Sequence, residues 1–295
     1  MASAAEQTPL RRIASDFAAS PAAVFGLVLL GLILLLAVFA PLLSPQNPYD
    51  LAQLDVVDGR LPPGSVSPNG MTFWLGTDDQ GRDMLSAIFY GLRISLTVGV
   101  VSTALALALG LAVGLTAAYF GGRVETLIMR IADIQLSFPA ILIALILLAV
   151  LGQGMLKIIA ALVAVQWAYY ARTVRSAALV EKRKEYVEAA RCLALSPLRI
   201  VLRHMLPNCL PPLIVVATVQ VAAAIALEAT LSFLGLGLPI TEPSLGLLIA
   251  NGYQYLLSGK YWISFFPGIA LLLTIVSINL VADQLRDAIN PRLQL

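Results

Sequence analysis

The feature that most constrains this chain is its set of long apolar blocks without a charged residue, such as the block from Phe17 to Tyr49. Charged residues make up only 12% of the sequence, whereas about a quarter of the residues in a soluble domain are charged. A helix of about 20 apolar residues, rising about 1.5 Å per residue, matches the hydrocarbon core of a bilayer, which is about 30 Å thick. The sequence therefore predicts an all-α integral membrane protein.

Six apolar blocks predict six transmembrane helices. Their approximate bounds are Ala22–Leu43, Ile94–Tyr119, Ile134–Leu156, Ile158 onward, Cys209–Leu234 and Tyr261–Ala282. The fourth block has only 14 residues before Arg172, which is about 21 Å of helix. We therefore expect that helix to continue, with Arg172 and Arg175 extending their charges towards the interface. Pro211 and Pro212 are expected in the first turn of the fifth helix, where a missing N–H costs nothing.

Two further features are predicted within or between these blocks. Gly110 and Gly114 form a GxxxG pattern, which permits close helix approach without specifying the partner helix. Residues 245–257 lie in a loop rich in glycine and proline and are expected to form a surface or re-entrant helix.

The predicted helices divide the chain into four parts. Residues 1–21 form a cytosolic N-terminal segment, and residues 22–43 form the first transmembrane helix. Residues 44–93 form an extracytoplasmic loop that contains an amphipathic helix. Residues 94–295 form the core, with the other five helices and a cytosolic loop at 181–207. The first block exceeds the apolar core of a signal peptide, about 7–15 residues, so we interpret it as a retained helix.

The amphipathic helix in the extracytoplasmic loop is predicted from two signals. Thr77 and Gln80 have the spacing of a capping box. The apolar residues that follow share one helical face, and they are Met84, Leu85, Ile88, Phe89 and Leu92. We expect this short helix to lie against the membrane or the bundle.

The distribution of basic residues predicts the orientation. With the N-terminus inside, fourteen of the 19 lysines and arginines fall in inner segments and five in outer segments. Positive charge concentrates on the cytosolic side of membrane proteins. Both termini are therefore predicted to be cytosolic, as is the polar block from Arg172 to Arg203.

That polar block predicts two short helices at the membrane surface. Residues 181–195 are good helix formers, and Ser196 and Pro197 offer an N-cap and a proline at the first helical position. The second helix is expected to run to Met205 and to be stopped by Pro207. On physical grounds the block is either a docking element for a cytosolic partner or a charged loop that only sets orientation.

Part of this block resembles the EAA loop of binding-protein-dependent ABC importers. The resemblance is carried by Glu188-Ala189-Ala190, by Ala194 after three further residues, and by Leu206-Pro207. It implies that the loop forms coupling helices that dock in a cleft of an ATP-hydrolysing subunit. The implied coupling residues are Glu188, Ala189, Ala190, Ala194, Ser196, His204, Leu206 and Pro207. Ala194 departs from the pattern, which usually has glycine there.

Other stretches resemble the "C"-type permease subunit of the dipeptide, oligopeptide and nickel ABC transporters. They are residues 75–83, 138–139, 203–208, 232–237 and 285–292. The resemblance implies a type I ABC importer permease in the bacterial inner membrane, working by alternating access. Its implied partners are a homologous "B"-type permease subunit, two ATPase subunits or one fused chain, an extracytoplasmic solute-binding protein and membrane lipid. No nucleic-acid partner is expected.

The chemistry of ATP hydrolysis is expected on the partner subunits. The sequence contains no G-x-x-x-x-G-K-[ST] phosphate loop, so the chain is expected to be a passive permease that holds no cofactor. ATP and Mg²⁺ would bind the ATPase subunits. No metal site is expected, because His204 is the single histidine and lacks companion ligands.

Candidate pore or gate residues are Glu228, Ser232, Phe233 and Asn279. A lipid-facing charge such as Glu228 would cost about 2.5–3.5 kcal/mol at the centre of the bilayer, so it should face a pore, a partner or a neighbouring helix. A structural pair within the bundle is the alternative to a pore role. Asn279 could likewise bond between helices.

Candidate docking residues for the binding protein are Asp78, Asp79, Arg82 and Asp83, although these charges could instead cap and solvate their helix. A stand-alone secondary transporter or channel is the alternative function. Ion-driven transport would favour more intramembrane charges than Glu228 alone. The solute could be a dipeptide, an oligopeptide, glutathione, an opine or a nickel chelate.

Overall fold

The computed structural model describes residue 15 and residues 17–289, and it shows a bundle of helices. The helices in chain order are α1 (Pro21–Val38), α2 (Ala40–Leu43), α3 (Met84–Phe120), α4 (Gly122–Leu136), α5 (Ala140–Leu151), α6 (Met155–Glu181), α7 (Glu185–Cys192), α8 (Pro197–Arg199), α9 (Leu206–Phe233), α10 (Leu245–Tyr253) and α11 (Trp262–Ile289). Two short antiparallel strands, β1 (Ser65–Val66) and β2 (Thr72–Phe73), form a hairpin between α2 and α3. The predicted all-α class is confirmed.

One end of the bundle, which we call the outer end after the predicted orientation, gathers three connecting segments. They are residues 44–83, 152–154 and 235–261. Arg82 Nη1 donates to Ile240 O at 3.0 Å, which joins the first segment to the third. Gln153 Nε2 donates to Gly235 O at 2.8 Å, which joins the second to the third.

The opposite end, which we call the inner end, carries the turn at residues 121–122 and the segment 182–205. Lys182 Nζ donates to Ala118 O and to Tyr119 O, each at 2.7 Å, and so caps the last carbonyls of α3. Most of the predicted cytosolic segment 1–21 lies outside the described residues, as does Arg292.

Between these two ends the described chain makes six passes, with α4 and α5 together forming one of them. Four helices are long and apolar enough to cross a membrane, namely α1, α3, the stretch 197–233 and α11. The pair α4 and α5, bent by 89°, would be a fifth crossing. The remaining pass is α6, which carries Lys157, Arg172 and Arg175. The count of six transmembrane helices therefore stays a prediction.

The second of these long helices, α3, corrects the prediction of a separate amphipathic helix. It runs without a break for 37 residues, and Asp83 caps it by accepting the N–H of Ser86 at 2.8 Å. Thr77 instead donates its hydroxyl to Asp58 O at 2.6 Å, so the predicted capping box is wrong. Met84 is fully buried, because the predicted apolar face packs into the bundle rather than onto the membrane surface. The boundary drawn at residue 93 cuts through this helix.

The third predicted helix, residues 134–156, is wrong as a single element. The chain breaks after Leu136, and α5 then runs for only 12 residues, about 18 Å. Pro139 explains the break, because a proline has no N–H to donate and disfavours helical geometry in the residue before it.

Close packing between α3 and α6 forms the largest helix interface. A methyl group added at Gly110 would lie 2.3 Å from Tyr170 Cβ, and one at Gly114 would lie 2.6 Å from Ala171 O. Only glycine fits at either position. The predicted close approach at GxxxG is therefore confirmed, and its partner is a helix of the same chain.

The fourth predicted helix does continue past Arg172, as expected, and ends at Glu181. Its two arginines do more than reach towards the interface. Arg172 forms an ion pair with Asp133, and Arg175 forms one with Glu125. These pairs attach α6 to α4.

The fifth predicted helix begins earlier than its sequence signals indicate. Pro207 does not stop the preceding helix: residues 200–205 form a π-helical turn that leads directly into α9. In that turn the N–H of Leu206 donates to Val201 O, five residues back. Pro211 and Pro212 consequently lie inside α9 rather than in a first turn.

The helix expected within residues 245–257 is confirmed as α10 followed by a 3₁₀ turn at Leu256–Ser258. It packs against α11 and α9. A methyl group at Gly246 would lie 2.4 Å from Ala229 O, so α10 rests directly on the backbone of α9.

Candidate functional site

The predicted coupling loop forms an elbow at the inner end, made of α7, the turn that follows it and α8. Val187 and Ala190 face inward and are buried beside the ends of α3 and α6. Glu188 and Ala189 are exposed on the opposite face. Of the eight predicted coupling residues, the elbow therefore presents Glu188, Ala189, Ala194 and Ser196 outward, while Ala190 anchors it.

The turn after α7 has the hydrogen bonds of a Schellman motif. Leu195 N–H donates to Ala190 O at 3.2 Å, and Ala194 N–H donates to Arg191 O at 2.9 Å. Ala194 has a φ of 53°, in the left-handed region where glycine is favoured. The chain bends at Ala194 as it would at a glycine. The backbone there is strained, because the Cβ of alanine disfavours the left-handed conformation.

The other predicted coupling residues continue from this turn. Ser196 is the N-cap residue of α8, and Pro197 occupies the first turn, as predicted. His204 lies half-buried in the π-helical turn, and its carbonyl accepts Asn208 Nδ2 at 2.8 Å. Leu206 is half-buried and Pro207 exposed at the start of α9.

A hydrogen-bonded network connects the elbow to the long helices. Tyr186 Oη donates to Glu181 Oε2 at 2.6 Å and accepts Asn208 Nδ2 at 3.2 Å. Lys184 Nζ pairs with Glu181 Oε1 at 2.7 Å. Burial and the Glu181 carboxylate raise the pKa of Tyr186 to about 12, so its hydroxyl remains a donor at neutral pH. The network joins α7 to the end of α6 and to α9.

Lys182, next to this network, is held against the end of α3. Burial lowers the pKa of its ammonium group, and Arg191 lowers it further by repulsion, while Glu125 opposes the shift. Tyr119 also places its ring 5.9 Å from Lys182 Nζ.

A groove of about 670 Å³ opens beside the network, between α6, α9 and the end of α11. Its lining residues are Tyr169, Glu181, Asn208, Pro211, Pro212, Val215, Val216, Val219, Gln220 and Arg286. Its charged groups, Glu181 and Arg286, lie at the inner mouth. Deeper in the groove the lining is uncharged, and its polar groups are the hydroxyl of Tyr169 and the amide of Gln220.

A second groove of about 320 Å³ continues along α9 towards the outer end. It is lined by Ala226, Ala229, Thr230, Phe233, Gly246, Ile249, Leu271 and Ile275. The residues of α9 that line the two grooves recur at helical spacing, so they form one stripe along a single face. This stripe is bordered by α11 along its length and by α10 at the outer end.

Two of the predicted pore residues are not on this stripe. Glu228 has no exposed surface and Ser232 is only 1% exposed. Ser95 Oγ donates to Glu228 Oε2 at 3.0 Å and Ser232 Oγ donates to Oε1 at 2.7 Å. Neither residue lines the stripe, because the carboxylate turns into the bundle to meet hydroxyl donors, and a gate role for either residue stays a prediction. The structural alternative for Glu228 is the one that the geometry supports.

The other two pore candidates have different positions. Phe233 is 40% exposed, lines the outer groove and packs edge-on against the ring of Tyr253. Asn279 lies half-buried on α11, and Ser277 nearby donates to Thr274 O within that helix. A pore role for Phe233 and Asn279 stays a prediction.

The predicted docking residues for a binding protein are corrected by their burial. Asp78, Arg82 and Asp83 are at most 1% exposed, and Asp79 is half-buried. Arg82 Nε pairs with Asp78 Oδ2 at 2.6 Å, and Asp83 caps α3. Burial and the neighbouring Asp78 raise the pKa of Asp79. Asp78, Arg82 and Asp83 therefore hold the outer segment together and turn no charge outward, while a docking role for the half-buried Asp79 stays a prediction.

Sequence reasoning missed the groove and the Tyr186 network. The groove face of α9 carries valine, alanine and proline, as a lipid-facing surface would, so composition gives no signal for it. The network had a weak signal: Glu181, Tyr186 and Asn208 are polar residues that flank the coupling motif.

Comparisons with known proteins agree with this arrangement. Residues 106–295 match the family model described as binding-protein-dependent transport system inner membrane component. The chain belongs to this family. Residues 8–63 also match the N-terminal transmembrane domain of oligopeptide transport permease C.

Several curated relatives of this permease are similar over most of their length. A putative peptide transport system permease protein of Brucella abortus is 41% identical over 92% of this chain and 88% of its own. The di/tripeptide transport system permease protein DppC of Pseudomonas aeruginosa is 37% identical over 97% and 93%. A probable D,D-dipeptide transport system permease protein of Escherichia coli is 37% identical over 92% and 88%.

A solved structure supports the fold. A chain of the MetNI methionine ABC transporter, in an inward-facing conformation, matches with a TM-score of 0.57 and 23% identity. The match covers 70% of this chain and 98% of that one. The permease therefore has the fold of an ABC importer membrane subunit.

Proposed function

We propose that this permease forms one half of the translocation pore of an ATP-driven importer for peptides or similar small solutes. It lies in the bacterial inner membrane with both termini cytosolic. ATP and Mg²⁺ bind to partner ATPase subunits, and this chain performs no hydrolysis itself. Alternating access moves the solute past the stripe on α9.

The observation that carries this proposal is the connection between the elbow and the groove. Glu181 and Asn208 line the inner groove, and both are hydrogen-bonded to Tyr186 of α7. A displacement of the elbow is therefore transmitted to the groove walls through direct contacts. This is the arrangement that mechanical coupling to an ATPase requires.

The surface of the elbow suits a protein partner. Beside the exposed Glu188, the elbow and the turn after it carry large apolar side chains that are mostly exposed, namely Leu193 at 74%, Leu198 at 68% and Leu202 at 51%. A cluster of this kind at the edge of a membrane protein marks an interaction site. We assign it to the cleft of an ATPase subunit.

The remaining partners follow from the groove. A half-groove open along one face needs a second wall, which a homologous permease subunit supplies. An extracytoplasmic solute-binding protein delivers the solute to the outer end. The charge-free lining above the inner mouth accepts side chains of varied size and sign, which suits peptides, and the names of the relatives point to the same class of solute.

Affinity purification of the full chain from native membranes, at its natural expression level, tests the proposal. We expect two ATPase domains and one homologous permease to co-purify with each copy. Replacing Glu188 and Leu193 with lysine, a change confined to the exposed face of the elbow, should release the ATPases but keep the permease partner. Recovery of the chain without any ATPase would contradict the proposal and favour a stand-alone transporter.

A further inference from the structure

Glu228 is a buried carboxylate at the outer end of α9 that the proposed pore does not use as a lining residue. Its side chain is fully buried, and it lies at the point where three elements meet. Ser95 reaches it from α3, and Ser232 reaches it from the next turn of α9. A third hydroxyl, that of Ser244, lies beside the carboxylate.

Ser244 has a second role at the same place. It is the N-cap residue of α10, and its Oγ accepts the N–H of Leu247 at 3.2 Å. A serine hydroxyl has one proton to donate and lone pairs that accept. While its oxygen accepts from the helix, its proton is free to donate to Glu228. The carboxylate is therefore placed to orient the residue that begins α10.

The surroundings leave α10 little freedom at this end. Gly246 touches the backbone of α9, where an added methyl group would lie 2.4 Å from Ala229 O. A methyl group at Gly91 of α3 would lie 3.2 Å from Leu245 N. The start of α10 thus sits between α3 and α9, which are the two helices that Glu228 and its serines join.

The position of α10 matters because this helix is a wall of the outer groove. Gly246 and Ile249 line that groove opposite Thr230 and Phe233 of α9. A small displacement of α10 would change the width of the groove directly. The loop before α10 is held separately, by the bond from Arg82 to Ile240 O.

We propose that Glu228 is a positioning residue that holds the N-terminus of α10 in place through Ser244 and so sets the width of the outer groove. We call this contact between Glu228 and Ser244 the pin. The pin acts through α10 and touches no solute. Its consequence for transport rests on the proposed import function, whereas its consequence for α10 does not. The two are therefore measured separately.

The structural part is tested by labelling in the outer groove. Ile249→Cys is introduced into a Cys192→Ala, Cys209→Ala background of the full chain, and its reaction rate with a membrane-impermeant maleimide is measured in the intact transporter. We expect Ser244→Ala and Glu228→Gln each to raise this rate at least fivefold, because α10 becomes loose. An unchanged rate in both variants would overturn the proposal.

A matched control separates the pin from general loss of stability. Ser102 is also a fully buried serine of α3, but its hydroxyl donates to Gly99 O of its own helix. Ser102→Ala should leave the labelling rate within twofold of the parent. An equal rise in Ser102→Ala and Ser244→Ala would mean that any buried serine loosens the bundle, and would contradict a specific pin.

Uptake measurements then complete the test. Ser244→Ala and Glu228→Gln should lower solute uptake at least threefold while ATP hydrolysis persists, because the elbow is untouched. If the parent imports solute and both variants import it at the parent rate, the role in transport is wrong. If the parent imports nothing under ATP, the proposed function fails, and the labelling result still decides whether the pin exists.

Discussion

At the residue scale, Ala194 shows how the elbow accommodates alanine at a position where its motif usually has glycine. Its left-handed backbone satisfies the Schellman hydrogen bonds at the end of α7, but a Cβ in that region costs about 1–2 kcal/mol. The elbow therefore keeps its bend at the expense of local strain.

Relief of that strain is the first prediction. Ala194→Gly should stabilise the protein by about 0.5–1 kcal/mol, since part of the relief is offset by the greater freedom of glycine in the unfolded chain. Thermal unfolding in detergent measures it. Ala189→Gly, at an exposed position inside α7, should destabilise by about the same amount. A lower melting temperature for Ala194→Gly would show that the turn carries no strain.

Arg82 and Asp78 give the second prediction, because this ion pair is buried while Arg172 and Asp133 are both more than half exposed. Arg82→Met leaves the Asp78 carboxylate buried without its partner and should cost about 3–5 kcal/mol. Arg172→Met should cost less than about 1 kcal/mol. Unfolding of the two variants under one set of conditions compares them, and equal losses would count against the structural role assigned to Arg82.

Glu228 and Arg82 also show how far the role of a charged residue can be predicted from the sequence alone. Their charge makes both conspicuous, and the sequence offers each as a candidate for a functional surface, with a structural role as the alternative. Each is instead buried among polar partners from distant parts of the chain, such as Ser95 and Ile240. Those partners become neighbours only after folding, so no local pattern could indicate that the charges turn inward.

At the scale of elements, the link between α7 and the groove depends on one phenol. Tyr186 both donates to Glu181 and accepts from Asn208. Because these three residues belong to three helices, the hydroxyl of Tyr186 is the point where motion of the elbow would reach α6 and α9.

Tyr186→Phe is therefore the third prediction. The variant keeps the ring and should assemble normally, but it should hydrolyse at least threefold more ATP per solute imported. Parallel assays of ATPase activity and uptake in reconstituted vesicles give this ratio. Tyr261→Phe, an exposed ring at the outer end that packs on Trp262 and Phe265, should leave the ratio unchanged. A parent-like ratio in Tyr186→Phe would remove the network from the coupling route.

The predicted helix boundaries are wrong where two predicted helices join into one and where one predicted helix breaks. The sequence predicts a separate amphipathic helix at the start of α3, because the apolar face there resembles one that lies on a membrane. Pro207 predicts a helix stop in the sequence, because the π-helical turn that accommodates it has no sequence signature. Pro139 had the opposite effect: its break in the third apolar block was hidden by uniform hydropathy.

At the scale of the whole molecule, hydropathy and charge predicted the class of protein and the two groups of connecting segments. The family motifs predicted the elbow. The groove was beyond prediction, because the face of a helix that meets a partner subunit is as apolar as the face that meets lipid. Residues such as Val216 and Val219 become candidates only when their shared stripe is seen beside α11.

The fourth prediction concerns the central claim that this chain is a passive half-pore driven by a partner's ATP. The intact complex is reconstituted in vesicles with its binding protein outside, and accumulation of a labelled dipeptide or oligopeptide is followed with ATP supplied on the ATPase side. We predict accumulation above the external concentration with ATP, and none with a non-hydrolysable analogue or without the binding protein. Accumulation by vesicles that contain this chain alone, driven by an ion gradient, would contradict the account.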